Sequence, residues 1–126
     1  MGCCHSKCNN RAQLGKQWSN CDDDECRADI AVRILADGII KLPTAITSVD
    51  YRHRLLYSKA LDGDRTSYSI TYYVVVCNDV NKVKKLKSDK DRQYVLITRL
   101  SYLQILSSVD QSVIVFDYYE IESALS

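Results

Sequence analysis

One proline, one tryptophan, one phenylalanine, one methionine, two histidines and four glycines are all that 126 residues contain of those types. So little glycine and proline excludes collagen-like and low-complexity chains. No apolar run approaches the roughly 18 residues of a membrane-spanning helix, Val74-Val75-Val76-Cys77 being hemmed in by Tyr73 and Asn78. The amino terminus lacks the apolar stretch of a secretory signal peptide. A net charge of +1 gives the whole chain no long-range pull towards nucleic acid or anionic lipid. With His5 and His53 alone there is no metalloprotease helix, and no Gly-rich phosphate loop or G-x-S-x-G elbow exists. The expectation is a non-enzymatic protein.

What is present suits a folded domain: 46% hydrophobic and 26% charged residues is ordinary globular composition. Residues 1–20 read as a flexible arm, small and polar, with Asn9-Asn10, Gly15 and Ser19-Asn20 breaking any periodicity. Residues 21–126 read as one domain. Of the six cysteines only Cys77 lies beyond residue 26, so the thiols belong to the arm and are expected to stay reduced in a cytosolic chain.

The charge changes sign where structure is expected to begin, from Lys7, Arg11 and Lys16 to Asp22-Asp23-Asp24-Glu25. Carboxylates in a first helical turn suit the positive end of the helix dipole. Asn20 or Asp22 is the expected cap of a helix running through Ile30, Ile34 and Leu35, with Gly38 as its stop. The acidic run lacks the alternating ligands and glycine of a calcium loop. From Ile46 the pattern favours strands: Arg54–Ser58, an Asp62-Gly63 hairpin turn, and Thr66–Val76, rich enough in tyrosine, threonine and valine to be central. Val80, Val83 and Leu86 suggest a short helix capped by Asn78 or Asp79, with a long exposed hairpin loop as the alternative, in a lysine-rich stretch ending at Arg92. Strands are expected again from Gln93 to Leu100, extending to Leu106, and from Ser112 to Ile121. Together these predict an α+β fold: a small antiparallel sheet of four to five strands with one or two helices.

The one specific signal is at the start. Gly2 with Ser6 fits the M-G-x-x-x-[ST] pattern for N-myristoylation, and Cys3 and Cys4 stand where palmitoylation is common. These eight residues, Met1 to Cys8, resemble the lipidated amino termini of Src-family kinases and other dually acylated proteins. The resemblance covers the octapeptide only and implies acylation of Gly2, Cys3 and Cys4, with Cys8 as a further candidate. A single myristate binds membranes marginally, at about 10⁴ M⁻¹, so palmitate is the needed second anchor. Lys7, Arg11 and Lys16 are the expected contacts to an anionic leaflet, each worth up to about 1 kcal/mol. Lys82 to Arg92 forms a second basic stretch, diluted by Asp89 and Asp91.

Two other chemistries use the same residues. Cys4, Cys8, Cys21 and Cys26 form two close pairs, which fits a structural zinc and a zinc-stabilised interaction or nucleic-acid-binding domain. Cys77, before Asn78-Asp79, stands where a nucleophile can sit, although a buried thiol serves as an ordinary small hydrophobe. Nine tyrosines near lysines invite a single-stranded nucleic-acid reading, which the neutral charge balance disfavours. The reading that unites most features is a peripheral protein on the cytosolic face of a membrane. It needs no cofactor. It is held by acyl chains and recruits a protein partner, as a small adaptor, viral accessory or matrix-type protein would.

Overall fold

The computed structural model describes residues 6–126, with side chains from Asn10 onward. The protein has an α+β fold: among the described residues there are five helices and one five-stranded mixed sheet in the order β1-β2-β3-β4-β5. Strands β1 (Ile46–Asp50), β2 (Leu55–Leu61) and β3 (Ser67–Val76) run antiparallel. Strands β4 (Arg92–Thr98) and β5 (Ile114–Asp117) continue parallel to β3. The Asp62-Gly63 hairpin forms as the sequence predicts. Its turn is tied by the Asp62 carboxylate, which accepts from the Asp64 and Thr66 amides at 2.9 and 3.1 Å.

The Tyr-, Thr- and Val-rich strand β3 occupies the middle of the sheet. Its even positions Ile70, Tyr72, Val74 and Val76 are buried on one face, and they pack with Val95 and Ile97 of β4. Helices α1 (Ser6–Ser19), α2 (Asp24–Ala36) and α5 (Tyr118–Leu125) cover this face through Leu14, Trp18, Ile30, Ile34, Ile121 and Leu125. The opposite face carries a smaller cluster. There Val83 of α3 (Val80–Val83) and the half-buried Ile105 of α4 (Tyr102–Ser108) meet Leu96 and Val113. Burial on both faces explains why β4 reads as a continuous apolar run.

Helix α2 is close to its sequence expectation, but its cap is Asp23, whose carboxylate accepts from the Cys26 amide at 2.8 Å. It ends at Gly38, which adopts the left-handed φ of 73° that glycine takes without penalty. Helix α3 starts at the expected cap Asp79.

Three features differ from the expectations. First, residues read as a flexible arm form α1 from Ser6 onward; Leu14 and Trp18, four residues apart, share one helix face and bury it against α2 and α5. Polar residues that suggested an arm, Gln13 and Ser19 among them, lie on the solvent side of a packed helix. Second, the strands expected to extend to Leu106 and Ile121 stop at Thr98 and Asp117, where capping boxes start helices. The Ser101 hydroxyl and Gln104 side chain bond each other's amides, and Asp117 with Glu120 does the same. Third, the sheet is therefore mixed rather than antiparallel, because crossovers long enough to contain α3 and α4 return the chain to the same end of the sheet.

Candidate interaction surface

The expected acylation sites Gly2, Cys3 and Cys4 lie outside the described residues, as does the side chain of Lys7. Arg11 and Lys16 are exposed on α1. Five residues apart on a helix, they are separated by about 140° around its axis, so they do not form one basic stripe. Helix α1 runs antiparallel to α2: the Asn10 amide donates to Asp37 at the end of α2, while Arg27 near its start donates to the Trp18 and Cys21 carbonyls. Asn10, in the amino-terminal half of α1, thus lies beside the carboxyl end of α2.

Cys21 and Cys26 are joined by a disulfide, with Cα atoms 5.5 Å apart. This corrects the expectation of reduced thiols. The turn from α1 into α2 brings Cys26, in the first turn of α2, back over Cys21 within ordinary bridging distance. Sulfurs bonded to each other are not thiolates, so in this form they cannot complete the zinc set with Cys4 and Cys8. Among the described residues, no group of three or more His, Cys, Asp or Glu side chains is gathered for a metal.

The most exposed apolar surface is on α4. Tyr102, Leu103 and Leu106 are 74%, 75% and 60% exposed, and no residue of this helix is buried. They occupy about 100° of the helix circumference, while Ile105 turns inward. Helix α3 lies alongside, and Lys82, Lys84, Lys85 and Lys87 are exposed there. Lys87 reaches Asp110 at 3.8 Å. The Asp110 carboxyl is held below the usual aspartate range, chiefly by the Ser112 hydroxyl, which donates to it at 2.6 Å. The lysine-rich crossover and the exposed helix thus form one basic and apolar layer. The sequence reading missed α4, because a strand through Leu106 would have buried alternate residues. The Ser101-x-x-Gln104 box was the signal that locates it.

At the carboxyl ends of the parallel strands, Asn78 links three elements. Its amide donates to the Tyr118 hydroxyl at 3.0 Å, and its carbonyl accepts from the Thr98 hydroxyl and the Arg99 amide at 3.1 and 2.6 Å. These bonds account for the buried Thr98. Cys77 is half-buried rather than fully enclosed, and lines a pocket of about 380 Å³ with Asp24, Asp79 and Lys82. No histidine approaches it among the described residues; His53 is bonded to Asp50 at 2.9 Å in the β1–β2 turn. Asn78 joins strands to helices, and the Cys77 thiol donates to the Asp79 carbonyl at 3.7 Å. No family model, curated protein or solved structure matches the chain.

Proposed function

We propose that this protein is a non-enzymatic peripheral membrane protein. Myristate on Gly2 and palmitate on Cys3 and/or Cys4 hold it to the cytosolic face of a plasma membrane or endomembrane, and the folded part recruits a protein partner. The observation that carries the anchor is the M-G-C-C-x-S start. Partner capture is supported by the exposed trio on α4, since isolated apolar residues are common at surfaces but a clustered patch marks interaction.

The position of that patch favours a polypeptide over the bilayer as its occupant. Helix α1 belongs to the layer on one sheet face and α4 to the layer on the other. Four residues from Gly2 to Ser6 reach at most about 14 Å when extended. Two helix layers separated by a sheet stand roughly 20 Å apart at about 10 Å per layer. With the α1 face laid on the membrane by acyl chains near its start, α4 points away from the bilayer. Lysines beside Tyr102, Leu103 and Leu106 suit an acidic, apolar segment of a partner.

The test combines intact mass with fractionation of protein made in eukaryotic cells. An acyl mass increment and sedimentation with membranes are expected, both lost in Gly2→Ala. Leu103→Asp is expected to keep the protein on membranes while releasing co-purified partners. An unblocked amino terminus, with the protein free of membranes, would sink the proposal.

A further inference from the structure

A second polar feature lies between α2 and the β1–β2 turn, away from the α4 layer. A pocket of about 420 Å³ is lined by Asp29, Arg33, Tyr51, Arg52 and Arg54. Three arginines and one aspartate make up its charged lining, which leaves two positive charges in excess there. Asp29 accepts from Arg54 Nε at 2.9 Å. Among the described residues, no carboxylate comes within ion-pair distance of Arg33 or Arg52. Like charges concentrated around one concavity repel each other, and an anion in their midst relieves that repulsion.

The surroundings hold these groups in place. Arg54 has a left-handed backbone, φ 57°, uncommon for a residue with a side chain. Its carbonyl accepts from the Val74 amide of the central strand at 3.1 Å, and its side chain is bound to Asp29 on α2. The turn is closed from the other side by Asp50, whose carboxylate accepts from the His53 amide at 3.1 Å and pairs with its ring. Those bonds to His53 hold the Asp50 carboxyl below the usual range, so it remains a charged clasp at neutral pH. Arg33 lies over the Tyr51 ring at 6.0 Å, within the distance at which a cation is attracted to an aromatic face. One arginine is thus pinned by an ion pair, one rests on an aromatic ring, and Arg52 is exposed in the same lining.

We infer that this pocket binds a phosphoryl-bearing anion through Arg33, Arg52 and Arg54. Planar guanidiniums bind phosphate oxygens through paired N–H donors, and several arginines around one concavity form the usual recognition device for a phosphomonoester. Tyr51, half-exposed at the rim, offers an apolar face for whatever carries the phosphate. The same chemistry accommodates a free phosphorylated metabolite or a phosphorylated lipid headgroup. The inference does not depend on acylation.

Calorimetric titration of the full chain, made without acylation, with sodium pyrophosphate tests it, together with co-sedimentation on phosphatidylcholine vesicles containing phosphatidylinositol bisphosphate. Arg33 and Arg52 are exposed, so Arg33→Gln and Arg52→Gln are expected to leave the fold intact, as circular dichroism checks. Each is expected to weaken binding by about tenfold, the loss of one charge-assisted hydrogen bond. Pyrophosphate binding with that dependence assigns a free anion; vesicle binding with that dependence and no pyrophosphate binding assigns a headgroup. Failure of both probes to bind, or binding unchanged in both variants, overturns the site. Either failure leaves the membrane proposal standing, because acylation is read separately by mass.

Discussion

Replacing Trp18 by alanine tests whether the beginning of this chain is part of the fold. Trp18 is only 2% exposed, and its ring meets the Tyr118 ring edge-on at 5.3 Å. Its indole N–H donates to Glu122 at 3.2 Å, and the Arg27 guanidinium lies 4.8 Å from the ring centre. Truncating a buried tryptophan costs about 3–5 kcal/mol through lost transfer energy and the cavity left behind. A domain of this size has roughly 5–15 kcal/mol in total. At about 4 °C of midpoint per kcal/mol for a domain of this size, Trp18→Ala should lower the thermal transition by roughly 12–20 °C. Circular dichroism in urea measures the loss. As the chain has one tryptophan, wild-type fluorescence also reports this site alone: emission is expected to be blue-shifted and to move red in the same transition as the sheet. A loss below about 1 kcal/mol, in the range of surface substitutions, or red emission before unfolding would show that α1 is not docked.

Three further outcomes are expected. Protein purified without reductant should carry the Cys21–Cys26 bridge, seen as a two-hydrogen mass difference on reduction, and Cys21→Ser should cost about 2 kcal/mol from the entropy of so short a loop. If the chain faces the cytosol, where such bonds are rare and usually redox-responsive, the bridge should form only in an oxidised fraction. Asp117→Ala removes the cap of α5 and should cost about 1 kcal/mol in chemical denaturation, more than the same change at exposed, uncapping Asp64. In an NMR titration Asp110 should lose its proton below the ordinary aspartate midpoint, and Ser112→Ala should raise that midpoint. Because the folded value is depressed, any stability from Asp110 is present above the unfolded value and disappears as pH falls through the folded one.

The helix from Asp24 to Ala36, its glycine stop, the Asp62 hairpin, the short helix after Asp79 and the central place of β3 were all legible, because each depends on neighbours in sequence. Capping boxes at Ser101 and Asp117 are equally local. Overlooking them turned two β-to-α transitions into longer strands, whereas the mixed sheet comes from the crossovers through α3 and α4, whose return direction no local signal records. Helix α1 was hidden for a different reason: with Leu14 and Trp18 as its buried pair, its apolar stripe is too thin to stand out among polar residues until α2 and α5 cover it.

Local order thus determines this protein's helix ends and its hairpin turn, and it carries the proposed acylation motif of Gly2, Cys3 and Cys4, since caps, turns and enzyme-read peptides depend on a few neighbouring residues. Long-range packing decided the rest. It docked Trp18 on Tyr118, left Tyr102, Leu103 and Leu106 facing water, and brought Arg33 of a helix beside Arg52 and Arg54 of a turn. Such neighbours are separated by many residues in the chain and meet only when burial of the two sheet faces fixes where each element lies.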